Sequence, residues 1–311
     1  MKKVLIFGVS GFVGDYLAKE FAQNGYTVYG SDVTENPATS SDITFYKGDL
    51  LDATVIEKIV TEVEPDVIVN LAAISSVGVS WNIPQTTMSV NVVGALNILE
   101  AARRCSELPK VLFVGSSEEY DVSEQSITED MALNANNPYG ISKMAQEQFA
   151  ELYRQRYGMK IYCVRPFNHT GVGQKDTFVL PSFCKQVAEI QKSGKPGVMK
   201  VGNLAAKRDF SNVKDIVRAY RMIVESDDCT KVYNVGSGEA YGIDEVLDYI
   251  ISLCDQDVQV ETDPERFRPI DTPRICCDYT LIRETLGWEP QYSIFDTVKE
   301  MFEYYVAEED V

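Results

Sequence analysis

The sequence predicts an α/β protein with a doubly wound parallel sheet and a smaller α/β region after it. Short apolar runs alternate with helical stripes along the first half of the chain, a pattern typical of a parallel sheet covered on both faces. A glycine-rich turn joins the first run to the first helix. After Pro166 the loops become richer in glycine, proline and charge, which indicates a second region.

The elements of the first region can be read in order from their periodicity. An apolar strand at Lys3–Phe7 precedes the glycine-punctuated stretch Gly8–Gly14, a helix at Asp15–Asn24 and a strand at Thr27–Gly30. The alternation then continues with a helical stripe at Val55–Val63, a strand at Val67–Leu71, a helix near Thr87–Arg104, a strand at Val111–Val114, a helix at about Tyr139–Tyr157 and a strand at Ile161–Val164.

The second region shows three helical stretches between loops. The helices are predicted near Phe183–Lys192, Val213–Glu225 and Ile243–Leu253, and the loops around Gly171–Asp176, Gly194–Asn203 and Asp263–Arg274. We therefore predict a first domain over residues 1–166 and a second over 167–311, with segments of the second able to return to the first. Without a low-complexity linker, the two should share a broad interface with a binding cleft between them.

Composition excludes several classes of function. The 311 residues carry 47 acidic and 29 basic side chains, a net charge of −18 that repels nucleic acid and anionic membrane surfaces. No run approaches the roughly 20 apolar residues of a membrane helix, and no signal-peptide core follows Met1, so we expect a cytoplasmic protein. Seven cysteines without a C-x-x-C pair indicate reduced packing residues. With His169 as the single histidine, no metal is expected.

Three glycines, Gly8, Gly11 and Gly14, lie between the first strand and the first helix. Glycines let the backbone approach a pyrophosphate closely, and the positive end of the helix dipole favours its negative charge. Phe12 and Val13 lie between the second and third glycines and are further candidate cofactor contacts. The spacing is weak evidence alone, but within a β-turn-α-β unit it predicts a Rossmann-type dinucleotide site.

An acidic residue ends the second strand of this unit. Asp32 lies 18 residues after Gly14 and can accept hydrogen bonds from the adenosine ribose hydroxyls, while its charge would repel a 2′-phosphate, so NAD is favoured over NADP. A turn or cap aspartate is the structural alternative. Further candidate cofactor contacts follow the next two strands: Asp49, near the adenine amino group or an ordinary turn acid, with Leu50, Leu71 and Ala73.

The catalytic candidates are Tyr139, Lys143 and Ser116. Four positions along a helix place Tyr139 and Lys143 on one face, about 6 Å apart along the axis. A neighbouring ammonium favours phenolate, so Tyr139 can exchange protons near neutral pH. Ser116 follows the strand ending at Val114, at the carboxyl edge where ligands of such sheets bind.

These motifs together resemble the extended short-chain dehydrogenase/reductase family that acts on nucleotide-activated sugars. The resemblance covers essentially the whole chain and rests on Gly8-x-x-Gly-x-x-Gly14, on Gly115-Ser-Ser-Glu-Glu-Tyr120 and on Tyr139-Gly-Ile-Ser-Lys143. It implies that Ser116 orients the sugar C4 oxygen, Tyr139 exchanges its proton and Lys143 holds the nicotinamide ribose. It also implies a homodimer through the helices near Thr87–Arg104 and Tyr139–Tyr157.

Three further segments are similar to the branch of the family that acts on GDP-hexoses. They are Arg165-Pro-Phe-Asn-His-Thr-Gly-Val-Gly-Gln174, Val201-Gly-Asn-Leu-Ala-Ala-Lys-Arg-Asp-Phe210 and Arg268-Pro-Ile-Asp-Thr-Pro273. By matched position, Asn168 should contact the diphosphate, and Arg208 and Arg268 should neutralise it; a surface ion pair is the alternative for either arginine. His169 is read equally well as a satisfied interior histidine.

The resemblance implies NAD(P)H-dependent reduction at C4 of a GDP-linked 4-keto-6-deoxyhexose. The chain is compact and lacks the arginine-rich continuation that the 4,6-dehydratases of GDP-mannose carry after Phe-Asn-His. Dehydration remains the main alternative, because Glu118 aligns with the acid/base of the dehydratases and could also be a structural acceptor. Epimerisation at C4 and a non-catalytic NAD sensor are the remaining alternatives.

Overall fold

The computed structural model describes residues 1–34, 43–121, 126–230, 232–266 and 272–308. Its strands are β1 (Lys3–Phe7), β2 (Thr27–Asp32), β3 (Thr44–Lys47), β4 (Val67–Asn70), β5 (Lys110–Val114), β6 (Ile161–Pro166), β7 (Asn168–Thr170), β8 (Gly197–Val201), β9 (Lys207–Asn212), β10 (Val232–Val235), β11 (Ala240–Gly242), β12 (Val258–Thr262) and β13 (Arg274–Ile275). Its helices are α1 (Phe12–Gln23), α2 (Ala53–Val63), α3 (Val77–Asn82), α4 (Pro84–Met88), α5 (Gly94–Ala102), α6 (Pro138–Tyr157), α7 (Val179–Ser193), α8 (Val213–Glu225), α9 (Ile243–Ser252), α10 (Thr280–Leu286) and α11 (Ile294–Ala307).

A seven-stranded parallel sheet forms the larger layer, in the order β10-β6-β5-β4-β1-β2-β3. Every residue of β4 and β6 is buried, as expected for strands covered on both faces. The order reverses beside β1, so the ends of β1 and β4 flank the crevice where such sheets bind ligands. The predicted fold class is confirmed.

Helices cover both faces of this sheet. Because successive side chains of a strand point to opposite faces, Val4 and Ile6 enter the core beneath α1 and α8, while Leu5 and Phe7 enter the core beneath α2 and α5. Three elements that follow residue 166 in the chain belong to this layer: β10 is its edge strand, α8 packs beside α1, and α10 adds the buried Ile282 to the same core.

The remaining elements form a second core. Strands β11, β9 and β13 lie side by side with β7 on β9, and β8 pairs with β12. Helices α7, α9 and α11 pack together around Leu180, Val246 and Val298, all fully buried. Strand β7 begins two residues after β6 ends, so the two layers are joined at the carboxyl edge of the large sheet.

Several predicted boundaries were wrong: α7 begins at Val179 rather than near Phe183, β2 ends at Asp32 rather than Gly30, and three others follow. Helix α1 begins at Phe12 rather than Asp15, so Gly14 lies inside its first turn. The expected loop Gly194–Asn203 contains β8, whose side chains alternate between exposed and buried. The helix expected at Thr87–Arg104 starts earlier, at Pro84, and a π-helical turn at Ser89–Val93 divides it into α4 and α5. No helix in the described ranges combines the length and the apolar character needed to cross a membrane.

Candidate active site

The glycine turn closes tightly against the backbone around it. Gly8 has a φ of +83°, and a Cβ there would lie 2.6 Å from the Ala72 nitrogen. A Cβ on Gly14 would lie 2.4 Å from the Val9 carbonyl oxygen. Side chains at either position would push the turn away from β4 or from the start of α1.

The N-terminus of α1 is left open for a ligand. Gly11 is its N-cap and supplies no side-chain acceptor, so the first N–H groups of the helix, those of Phe12 and Val13, have no capping side chain. A Cβ on Gly11 would approach only the Gly8 oxygen, at 3.3 Å. This cradle fits the diphosphate of a dinucleotide.

The Asp32 carboxylate lies beside this turn. Its Oδ2 accepts a hydrogen bond from the Ser10 nitrogen at 3.2 Å, and its Oδ1 accepts one from the Val33 nitrogen at 2.7 Å. The carboxylate ends β2 and is partly buried. Its position fits the predicted ribose contact, because each oxygen keeps a second lone pair for a hydroxyl donor.

The other predicted cofactor contacts fall into two groups. Leu71 and Ala73 flank Ala72, whose backbone lies directly against Gly8, so both follow the edge of the glycine turn. Leu50 is buried, and its carbonyl accepts a hydrogen bond from Asn97 Nδ2 at 2.7 Å. Asp49 is exposed and its Oδ1 accepts from the Leu51 nitrogen at 2.9 Å, the geometry of a turn acid.

The structure brings Ser116, Tyr139 and Lys143 together. All three are buried, and the Ser116 side chain is close enough to Tyr139 to lower the pKa of its phenol. Lys143 Nζ donates to the Val114 carbonyl at 2.7 Å and lies 5.8 Å from the centre of the Tyr139 ring. Strand β5 and helix α6 therefore place a hydroxyl, a phenol and an ammonium at the same sheet edge as the glycine turn.

The pKa of the Tyr139 phenol differs from the expectation drawn from its neighbour Lys143. Burial raises the pKa of Tyr139 well above its usual value, and the neighbouring Ser116 hydroxyl only partly opposes this. Burial lowers the pKa of Lys143 to about 8, against the opposing charge of Glu119. Without a bound ligand, Tyr139 is therefore a neutral phenol at neutral pH, ready to donate a proton.

Sequence reasoning missed Asn91, which ties the catalytic helix to the loop after β4. Its Oδ1 accepts from the Ile74 nitrogen at 2.8 Å, and its Nδ2 donates to the Ile74 carbonyl and to Ser142 Oγ. Ser142 Oγ in turn donates to the Tyr139 carbonyl at 2.6 Å. The π-helical turn presents Asn91 toward these partners, and a polar residue inside an apolar helix was the only sequence signal.

Glu118 lies at the margin of the group. Its nitrogen donates to Ser116 Oγ at 3.1 Å, and its Oε2 accepts from Asn137 Nδ2 at 3.0 Å. Asn137 caps α6 through the Gly140 nitrogen. Among the described residues, the partly buried carboxylate accepts a hydrogen bond from one neutral amide, that of Asn137.

Its neighbour Glu119 is fully buried and was not predicted as a site residue. Glu119 Oε1 accepts from the Ser116 nitrogen at 2.7 Å, so Ser116 and Glu119 form a capping box. Burial, then the charge of Glu147, raises the pKa of Glu119 to about 8, and Arg165 opposes the shift.

The predicted substrate contacts occupy the second layer. Asn168 begins β7, directly after the catalytic sheet, and its partner on β9 is Phe210, two residues beyond Arg208. Arg208 is buried and its Nη1 donates to the carbonyls of Lys207 and Thr272. Arg268 lies outside the described residues.

His169 has the interior role that sequence analysis left open. Its Nδ1 lies 3.0 Å from the Phe167 carbonyl, and burial lowers its pKa. Its ring is therefore neutral at neutral pH and satisfied by the backbone. Within the described ranges, no three His, Cys, Asp or Glu side chains group as metal ligands would.

A cavity of about 250 Å³ lies elsewhere in the second layer and contains no predicted site residue. It is lined by Phe210, Ser237, Glu239, Tyr241, Tyr279, Pro290, Gln291, Tyr292, Ser293 and Ile294. This cavity therefore lies apart from the predicted site, where Ser116, Tyr139 and Lys143 converge.

The fold, the glycine cradle and this convergence define an NAD(P)-dependent enzyme of the short-chain dehydrogenase/reductase type. Residues 5–301 match the family described as GDP-mannose 4,6 dehydratase, and the chain belongs to that family. The family resemblance seen in the sequence is confirmed.

Two relatives show the range of activities in the family. The chain is 28% identical to a GDP-6-deoxy-D-mannose reductase of Pseudomonas aeruginosa over 301 residues, which cover 96% of this chain and 95% of the relative. It is 29% identical to a GDP-mannose 4,6-dehydratase of Yersinia enterocolitica over 347 residues, with 97% and 93% covered.

Solved structures share the whole architecture. RMD from Pseudomonas aeruginosa complexed with NADPH superposes with a TM-score of 0.86 at 25% identity, covering 99% of both chains. UDP-glucose 4-epimerase from Brucella ovis in complex with NAD superposes with a TM-score of 0.88 at 27% identity, also covering 99% of both chains. The fold is thus shared with proteins whose solved structures contain NADPH or NAD.

Proposed function

We propose that this protein reduces the C4 ketone of a GDP-linked 4-keto-6-deoxyhexose with a nicotinamide dinucleotide. The observation that carries the proposal is the buried, neutral phenol of Tyr139, which lies beside the Ser116 hydroxyl and the Lys143 ammonium. A ketone reduction needs an acid at this place, because the alkoxide that forms at C4 must receive a proton.

Tyr139, Ser116 and Lys143 have separate roles in the proposed reaction. A bound NADH or NADPH supplies the hydride that adds to C4. Tyr139 gives its phenolic proton to the C4 oxygen, and Ser116 donates a hydrogen bond to that oxygen as negative charge develops. Lys143 stabilises the phenolate left on Tyr139 and supplies donors for the nicotinamide ribose. Burial of all three groups excludes water from this exchange.

The GDP part of the substrate would be held by the second layer. Asn168 and Arg208 lie on neighbouring strands that begin where the catalytic sheet ends. A guanidinium forms charge-assisted, bidentate bonds with diphosphate oxygens, and in a chain with a net charge of −18 such a cation serves to attract an anion. Arg268 is proposed as the second cation from its position in the family motif.

Chain length supports reduction over dehydration. The alignment with the reductase relative spans 301 residues, whereas alignments with dehydratase relatives span up to 347, more than the 311 residues of this chain. The dehydratases therefore carry segments that this protein lacks.

The direct test combines the purified protein with the GDP-linked keto sugar and NADH, and follows the nicotinamide absorbance. We expect oxidation of NADH in proportion to the keto sugar, with a GDP-6-deoxyhexose as product. If neither NADH nor NADPH is oxidised, the reductase proposal fails.

We propose NADH as the preferred donor, with NADPH less favoured. The Asp32 carboxylate lies at the edge of the glycine turn and would repel a 2′-phosphate. Replacing Asp32 with Ser should improve the ratio of NADPH to NADH efficiency by at least about tenfold, on the order of 1.4 kcal/mol. An unchanged ratio would contradict the assignment of Asp32.

Dehydration of GDP-mannose is the second candidate, favoured by one observation. Glu118 lies beside Ser116 with a partly buried carboxylate held by Asn137. In a dehydratase this carboxylate would move the protons of the elimination. Conversion of GDP-mannose to a keto sugar without net consumption of cofactor, abolished by Glu118→Gln, would establish this activity.

We further propose a homodimer formed through α5 and α6. Ile141 and Leu152 are three turns apart on one side of α6 and are 48% and 56% exposed, and Val93 beside α5 is 46% exposed. Burying this apolar stripe against a second copy would remove it from water. Light scattering should show a dimer, and Leu152→Glu should yield monomers; a monomeric wild-type protein would contradict the proposal.

The proposed location is the cytoplasm. All seven cysteines are free thiols, as expected in a reducing compartment. Fractionation of cells that produce the protein would test this directly, since recovery outside the cytoplasmic fraction would contradict it.

A further inference from the structure

Glu119 and Lys143 hold the same short stretch of backbone from two sides. Lys143 Nζ donates to the Val114 carbonyl at 2.7 Å, and Glu119 Oε1 accepts from the Ser116 nitrogen at 2.7 Å. Gly115 lies between them, and its nitrogen donates to the Val164 carbonyl. The end of β5 that carries Ser116 is therefore fixed by two ionisable side chains and by β6.

Gly115 leaves the space that the buried carboxylate of Glu119 occupies. A Cβ on Gly115 would lie 2.3 Å from Glu119 Oε1, so a side chain at Gly115 would displace it. Glu119 is 0% exposed, and the gap beside Lys143, lined by Phe113, Gly115, Lys143, Gln146, Glu147 and Cys163, is too narrow to admit a water molecule. Because these groups are buried, their charges influence each other strongly.

The second carboxylate oxygen has no hydrogen-bond partner among the described residues. Arg165 Nε lies 3.9 Å from Glu119 Oε2, but this guanidinium is already bound to both oxygens of Glu147 and to the Tyr120 hydroxyl. An unpartnered buried acid is costly, and nothing in the proposed reaction uses it directly. Its retention beside Ser116 and Lys143 calls for a role.

We propose that Glu119 is a positioning residue for the catalytic serine and lysine. It fixes the backbone of Ser116 in either protonation state and, once ionised, holds the proton on Lys143. As the pH rises, loss of the Glu119 proton places negative charge near Lys143, so the ammonium persists to higher pH than burial alone would allow. This inference rests on the proposed function, because it assigns Lys143 a task as an ammonium.

The titratable groups that face Glu119 come from α6, from β6 and from the turn after β5. Lys143 and Glu147 lie on α6, and Arg165 lies on β6; Lys143 and Arg165 favour the ionised form and Glu147 opposes it. Tyr139 on α6, the Cys163 thiol on β6 and Glu118, next to Glu119 in the chain, also lie in these surroundings. Of these carboxylates, Glu119 is the one that raises the pKa of Lys143.

The test is a titration of Lys143 in the ligand-free protein, by NMR of lysine labelled with ¹³C at Cε. The Lys143 signal is identified by its loss in Lys143→Met. We expect Glu119→Gln, which keeps the acceptor for the Ser116 nitrogen, to lower the titration midpoint of Lys143 by about one pH unit or more. An unchanged or higher midpoint would overturn the inference.

Glu147→Gln is the matched control. It removes an equal charge from the same cluster, but that charge opposes ionisation of Glu119. The Lys143 midpoint should therefore stay in place or rise in this variant. A fall equal to that of Glu119→Gln would show a general charge effect and contradict the specific role of Glu119.

A second readout separates this inference from the proposed function. If the protein reduces the keto sugar, the loss of kcat at alkaline pH should begin at lower pH in Glu119→Gln, with little change in KM. If the NMR midpoint shifts but no keto sugar is reduced, the inference holds and the proposed reaction fails. If turnover occurs and neither the midpoint nor the pH profile moves, the proposed function holds and the inference fails.

Discussion

The two layers of this molecule treat their functional side chains differently. Ser116, Tyr139 and Lys143 are carried by a seven-stranded sheet and a 20-residue helix, and hydrogen bonds hold the side chains of Ser116 and Lys143. Arg208 lies in a small sheet whose outer strand, β13, has two residues. Under the proposed function, the chemistry therefore lies on the large sheet and its long helix, whereas substrate recognition depends on short strands and loops.

The largest effect should come from a substitution in the layer of the seven-stranded sheet. Tyr139→Phe keeps the ring but removes the proton donor, so kcat for reduction of the keto sugar should fall by ~10²–10⁴. Affinity for the dinucleotide, measured by fluorescence titration, should change little. Tyr157→Phe, at the exposed end of the same helix, is the matched control and should retain full activity. Retained activity in Tyr139→Phe would remove the phenol from the mechanism.

The second layer should respond in binding rather than in chemistry. Arg208→Met should raise KM for the nucleotide sugar by ~10–100-fold, since a charged hydrogen bond is worth about 1.5–3 kcal/mol, and should leave kcat and dinucleotide affinity nearly unchanged. Arg104→Met, which breaks an exposed ion pair with Glu57, serves as the control. A fall in kcat without a change in KM would show that Arg208 does not belong to a separate recognition layer.

A substitution in the glycine turn tests whether the backbone between β1 and α1 can relax. Gly14→Ala places a methyl group 2.4 Å from the Val9 oxygen and should lower the free energy of unfolding by about 1–3 kcal/mol, together with dinucleotide affinity. Chemical denaturation measures the first effect and titration the second. Gly78→Ala has open space and a helical site, so it should be neutral or stabilising. Equal stability of both variants would show that the turn can relax.

The smallest effect concerns His169, near the junction of the layers. Its pKa is lowered in the folded chain, so its neutral form contributes stability above the unfolded pKa, and this contribution is lost as the pH falls through the lower folded pKa. NMR of this single histidine should show one titration below about 6.5. His169→Gln should lose less stability than wild type on acidification; a midpoint at or above 6.5 would contradict the burial argument.

The sequence predicted the layer of the seven-stranded sheet better than the second layer. Glycine spacing, Asp32 and the four-residue separation of Tyr139 and Lys143 are local patterns, and the structure brings these residues to one edge. Environment is not local: Glu118 and Glu119 are adjacent, yet the first is partly buried and the second is fully enclosed by β6 and α6. Only tertiary packing could distinguish them.

Two further differences between the predicted and the observed structure also arise because local patterns do not report tertiary contacts. Strand β8 was hidden because glycine, proline and lysine residues around Gly194–Asn203 are typical of a loop, while its alternation is short. Asn91 fell within a pattern read as one continuous helix, although its partners, Ile74 and Ser142, come from distant parts of the chain. Periodicity reports which face is apolar and says nothing about such distant hydrogen bonds.

The return of α8 and β10 to the large sheet has a consequence for how the protein is made and how it evolves. A ribosome must deliver residues up to Val235 before the β6 edge is covered, and the core under α1 stays open until Tyr220 arrives. A piece ending at Pro166 would leave Tyr162 and Val164 facing water. The part of the chain up to Pro166 therefore does not fold without the part that follows it. Duplication or exchange of either part alone would yield an aggregation-prone product.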